Sequence, residues 1–174
     1  MAGAVAERVT DVVVSRLAHL FETHPAWLSA ARVLRADANS AVYFSHLPGE
    51  PWRLFGRNGT THLVPGLPED PDFVFRFTPA SVDRLAAVRG GVGDFAIELF
   101  SLILEEDEDV RIGFRIVSSL PTLAGRGYLH LLVAGGPRVL AFGAKRGVRG
   151  LADLHRLVRR LSSRGPEPWE VGDA

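Results

Sequence analysis

Cysteine is absent from this chain of 174 residues, which excludes disulfides, thiolate metal sites and a cysteine nucleophile. Lysine is almost absent: Lys145 is the only one, and the remaining basic residues are arginine. An excess of either charge sign is also missing, because 20 basic and 20 acidic side chains cancel. That balance argues against nucleic acid as a partner, since such proteins carry a basic excess. No apolar run reaches the ~18 to 20 residues of a membrane span. Residues Met1 to Arg8 lack the basic and apolar regions of a signal peptide, so a soluble, cytoplasmic protein is expected. No internal repeat stands out.

What is present is an ordinary globular composition, 47% hydrophobic and 23% charged, enough for one sizeable core. Val5, Val9, Val12, Val13, Leu17, Leu20 and Phe21 recur at helical spacing, which predicts an amphipathic helix from about Val5 to Thr23. A second helix is expected after Pro25, through Trp27, Leu28, Ala31, Val33 and Leu34.

The period then falls to two. Ala41 to Leu47 reads as a strand closed by Pro48-Gly49-Glu50. Trp52 to Gly56 and Thr61 to Val64 flank Asn58-Gly59, the strongest short hairpin signal, because both turn residues need positive φ. Asp72 to Phe77 is a fourth strand with Phe73, Phe75 and Phe77 on one face.

Thr78-Pro79 opens a helix, with Thr as cap and Pro in the first turn, and Gly90-Gly91 ends it. Asp94 is expected to cap the next helix, Phe95 to Leu104, which is apolar nearly all round and so must be buried or face something apolar. The acidic run Glu105 to Asp109 stops it. Val110 to Ile116 alternates strictly and reads as a fifth strand. Leu120 to Ala134 reads as helix despite Gly125 and Gly127, Pro137 to Phe142 as a short strand or extended crossing, and Leu151 to Leu161 as a helix with a leucine stripe backed by arginines.

This order of elements, from Ser40 to Ala134, resembles the sterol carrier protein 2 family. The most telling pieces are Trp52 before Asn58-Gly59, the segment Pro71 to Thr78 in which an aspartate opens an alternating strand that runs into a capped helix, Ser81 to Leu85 with the Gly90-Gly91 break, and Val110 to Gly113. The resemblance implies an α/β (α+β) domain: a mixed, mainly antiparallel five-stranded sheet covered by helices, with an apolar tunnel between them. It divides the chain into an N-terminal helical extension (1–36), a sterol carrier-like domain (37–134), a C-terminal extension ending in the amphipathic helix (135–164) and a flexible tail (165–174). It also implies reversible binding of a sterol, fatty acid or acyl-CoA-like lipid. The inward faces of the matched elements nominate Phe75, Phe77, Leu85, Phe95, Leu99, Phe100, Ile103, Ile112, Phe114, Leu123 and Leu132 as the lining.

Catalytic and metal signatures are weak. His19 and His24 straddle a helix end, and His46, His62, His130 and His155 are scattered, so neither a metal nor any other cofactor is expected. Glu105 to Asp109 lacks the glycine-punctuated spacing of a calcium loop. Gly-x-Ser-x-Gly is absent, Ser45-His46 are strand neighbours that point apart, and Gly143 to Gly147 lacks full phosphate-loop spacing. The expectation is a lipid-binding module that catalyses nothing. The alternative is a protein–protein interaction or scaffold domain with a closed core and partner-binding terminal helices. The arginine-backed C-terminal helix fits either ordinary packing or transient contact with an anionic membrane surface, and a homodimer stays open.

Overall fold

Asp11 accepts hydrogen bonds from the Val13 and Val14 amides and so caps α1, Val12–Thr23. The structure, a computed structural model, describes residues 11–148 and 151–162. The part of the expected first helix before Asp11 and the tail from 165 onward lie outside them. Pro25 opens α2, Pro25–Ala31, as its fixed φ favours.

The strands are β1 Asn39–Phe44, β2 Leu47–Arg57, β3 Thr60–Pro65, β4 Phe73–Phe77 and β5 Gly113–Ile116. They form one sheet in the order β3-β2-β1-β4-β5. β1 and β4 run parallel, and the other pairs are antiparallel, so the sheet is mixed and mainly antiparallel. Asn58 and Gly59 take φ of 54° and 78° and make the β2–β3 turn as expected. The preceding turn differs from expectation. It falls at Ser45-His46, and Pro48-Gly49-Glu50 lies inside β2. A register shift between Val42 and Phe44 absorbs the extra residues, with Gly49 at φ 80°.

Thr78 caps α3, Pro79–Ala86, in a reciprocal box: the Ser81 amide donates to Thr78 Oγ1 at 3.1 Å and the Thr78 amide to Ser81 Oγ at 3.0 Å. α4, Val92–Ile103, starts from Gly91 rather than Asp94; Asp94 sits in its first turn and pairs with Arg138 at 2.8 Å. The acidic run follows α4 as a turn in which Glu105 faces Arg84 at 3.6 Å and Glu108 faces Arg111 at 3.1 Å. That turn consumes the first residues of the expected fifth strand, because the Val110 and Arg111 amides bond to Asp107 O and the Ile112 amide to Leu102 O.

The single helix expected from Leu120 to Ala134 is two, α5 Leu120–Gly125 and α6 Tyr128–Ala134, broken where Gly127 takes φ 91°. Pro137 to Phe142 is not extended. It belongs to α7, Gly136–Lys145, with Pro137 in the first turn, where its missing N–H costs nothing. α8, Leu151–Ser162, closes the described chain.

Parity along the paired strands puts Val42, Phe44, Leu54, Phe77, Phe114 and Ile116 on one face, and these join the core with Leu17, Leu20 and Phe21 of α1, Val82 and Leu85 of α3, and Phe95, Leu102 and Ile103 of α4. The N-terminal segment is thus part of the core: the rings of Phe21 and Phe77 lie 6.5 Å apart. The opposite face carries Tyr43, Arg53, Phe55, Arg57, His62, Arg76 and Arg115. No described helix is long and apolar enough to cross a membrane.

Candidate functional site

Phe73 and Phe75 of β4, Leu99 and Phe100 of α4 are only half-buried, although they sit mid-sheet and mid-helix on the inward side. The reason is a cavity of about 220 Å³ between the sheet and the helices. Its floor is aromatic. Phe73 stacks on Phe114 at 5.4 Å, Phe75 lies 5.1 Å from Phe114, and Tyr128 meets Phe73 edge-on at 4.7 Å. Leu54 and Ile116 extend the floor, and Leu99, Phe100 and Ile103 form the roof. Leu120 and Leu123 of α5, Tyr128, Leu129 and Leu131 of α6, Leu157 of α8, and Trp27 and Leu34 from the N-terminal part complete the wall.

Of the residues nominated from sequence, Phe75, Leu99, Phe100, Ile103, Phe114 and Leu123 line this cavity. Phe77, Leu85, Phe95 and Ile112 instead belong to the solid core. Phe77 shares the face of Phe73 and Phe75, but α1 covers that end of β4 with Phe21. Phe95 points to α2, 5.8 Å from Trp27 and 5.1 Å from His24. The side chain of Leu132 lies outside the described set. Trp27, Leu34, Leu120, Tyr128, Leu129, Leu131 and Leu157 were not foreseen as lining. Tyr128, Leu129 and Leu131 stood in a stretch marked as apolar, but their inward direction depends on the break at Gly127.

The frame at one end of the cavity is polar. Asp72 is fully buried just before β4. It accepts hydrogen bonds from Tyr128 Oη at 2.9 Å, Ser118 Oγ at 2.8 Å, the Asn39 amide at 3.2 Å and Arg126 Nη1. Its own amide donates to Asn39 O, and its carbonyl accepts from the Val117 and Ser118 amides. One residue therefore ties together the starts of β1 and β4, the end of β5 and the α5–α6 junction. Burial, reinforced by the charge and hydrogen bond of Asp72, pushes the Tyr128 phenol well above its ordinary range, so it stays a donor. Burial opposes the Arg126 charge, but the hydrogen bond and charge of Asp72 outweigh it and raise the guanidinium pKa.

Most other polar groups on the wall are engaged too, the exception being Asn39, whose Nδ2 donates to Asp37 O at 3.3 Å while its buried Oδ1 has no partner among the described residues. Trp27 Nε1 donates to Thr61 Oγ1, and that hydroxyl donates to Phe21 O at 3.4 Å. The Tyr128 hydroxyl donates to Asp72. What remains facing the space is hydrocarbon and ring surface. Among the described residues no three His, Asp or Glu side chains come together as metal ligands. No family model, no curated protein and no solved structure matches the chain.

Proposed function

We propose that the protein reversibly binds a hydrophobic small molecule, an alkyl or acyl chain, in the cavity between sheet and helices, and changes no bond in it. The observation that carries this reading is the cavity itself, at about 220 Å³ with an almost wholly apolar wall. Engineered apolar cavities of ~150 Å³ accept benzene, so this one is large enough for a ligand. Pockets that enclose drug-sized ligands start at roughly 300 Å³, which favours a slender chain over a rigid sterol. Each buried methylene contributes about 0.8 kcal/mol, so a chain needs no charged anchor inside. That most polar wall groups are held by partners in the frame supports a reading without bond chemistry. The likeness to the sterol carrier protein 2 family supports the same reading and narrows the ligand to lipids. The scaffold alternative needs a closed core, and the cavity speaks against it.

Native mass spectrometry of the purified chain is expected to find co-purified lipid. Delipidated protein titrated with a fatty acid is expected to change Trp27 fluorescence and to gain thermal stability. At a free ligand concentration of 100 times Kd the gain is about 2.7 kcal/mol. A bulky sterol is expected to bind more weakly. Delipidated protein that binds neither probe and whose melting temperature is unmoved would refute the reading.

A further inference from the structure

We propose that the corner between α6 and α7 is a docking surface for an anionic bilayer. α6 ends in Val133, 75% exposed, and an exposed Ala134. α7 then exposes Pro137, Leu140 and Ala141, with Leu140 63% exposed. At 100° per residue these three share one arc of α7 with Lys145, and Arg138 borders it. The buried side of α7 is Val139, which packs toward Gly93 of α4. The arc is thus the outer side of the helix. Large apolar side chains left in water and rimmed by cations mark an interaction surface.

Charge selects the occupant. Across the described part of 128–162 the cations are Arg138, Lys145, Arg146, Arg156, Arg159 and Arg160; Asp153 is the one carboxylate in that stretch and pairs with Arg156, and Asp94 of α4 pairs with Arg138 at 2.8 Å. In a chain of zero net charge this region is strongly basic. A second copy meeting the same patch about a two-fold axis would bring these cations together, which disfavours a dimer here. A soluble polyanion would use the cations and leave Val133 and Leu140 in water. The surface of an anionic bilayer satisfies both, taking the apolar side chains to the acyl boundary and the cations to the headgroups. The surface is α6–α7 rather than the leucine stripe of α8, whose Leu157 lines the cavity. The docking does not depend on the lipid-binding reading. If both hold, α6 brings a cavity wall, through Leu129 and Leu131, onto the membrane.

The test is flotation of the full chain with vesicles of phosphatidylcholine alone or mixed with phosphatidylserine, beside fatty-acid titration of the same samples. The wild type is expected to float with the mixed vesicles, and at least about tenfold more weakly with phosphatidylcholine alone or at high salt. Val133→Asp with Leu140→Asp is expected to abolish flotation and leave fatty-acid binding and melting unchanged, since both positions are exposed. Arg138→Gln, Lys145→Gln and Arg146→Gln together are expected to weaken flotation at least about tenfold. Three outcomes would overturn the proposal: a wild type that does not float, flotation that both variants retain, or a sedimenting dimer that the aspartates dissolve. Loss of fatty-acid binding in the wild type with flotation intact would count against the cavity reading alone.

Discussion

Asp72 is an acidic side chain with no exposure to solvent, and four donors, the Ser118, Arg126 and Tyr128 side chains and the Asn39 amide, are what make that tolerable. Removing one member of a buried ion pair strands the other, at a cost of about 3–5 kcal/mol. Asp72→Ala is therefore expected to lower stability by roughly that amount in urea denaturation, and to lower ligand affinity because the frame at the cavity end loosens. At the surface, Asp11 works on a smaller scale. The His46 hydrogen bond, joined by the Val13 and Val14 amides, holds the Asp11 pKa below the usual carboxylate range against the opposing effect of desolvation. A depressed carboxylate pKa gives stability that is complete above the unfolded value, near pH 4, and is lost as the pH falls through the folded one. Asp11→Ala is expected to cost about 1 kcal/mol at neutral pH, and the difference from wild type is expected to shrink in acid melts. Alternation made the common face of Phe73, Phe75 and Phe77 legible from sequence. The division of that face between cavity and core was not, because it depends on where Phe21 and Tyr128 arrive from distant parts of the chain. The weight carried by Asp72 was equally hidden: its partners Asn39, Ser118, Arg126 and Tyr128 are scattered along the sequence.

α4 shows how one apolar helix serves two environments. Phe95 and Leu102 are packed in the core, whereas Leu99, Phe100 and Ile103 face the cavity. Overfilling a packed site costs about 1–3 kcal/mol. Leu102→Phe is expected to destabilise by that amount in thermal melts, while Leu99→Phe is expected to be neutral or stabilising and to reduce fatty-acid affinity. Equal destabilisation by both would mean that the space near Leu99 is no cavity. The uniform apolarity of this helix announced burial but could not tell packing from lining, since a solid core and an empty space ask for the same side chains. Elements with local signals, the Asn58-Gly59 hairpin and the Thr78-Pro79 helix start, were readable. Pro137 misled: it reads as the opening of a short strand or extended crossing, whereas a proline also suits the first turn of a helix. Gly127 breaks what the sequence pattern presents as one helix. A Cβ there would lie 2.2 Å from Val33 O, so the chain must be glycine where α6 meets the end of the N-terminal helices.

At the scale of the molecule, neutrality hides a segregation of charge. The acidic turn Glu105 to Asp109 and the basic region of α7 and α8 balance in the sum, and only their placement gives the α6–α7 corner its sign. The periods made the strands and most of the helices legible, whereas the mixed sheet covered by helices was expected only through the resemblance that their order carries, because pairing between distant strands leaves no local signal. The space inside was not, because volume is a property of the whole packing. The sheet has one more consequence. Its second face sets Arg53, Ala41, Val74 and Arg115 in one row across four strands, with Arg57 and Arg76 nearby and no carboxylate in the paired register. One edge strand, β5, is only four residues long, and the other, β3, ends in a proline. The arginine side chains keep this face hydrophilic, and the blunted edges oppose strand-by-strand pairing of neighbouring copies. A fold that leaves an apolar pocket between sheet and helices, and leucine and valine on its surface, is thereby guarded against the aggregation those features invite.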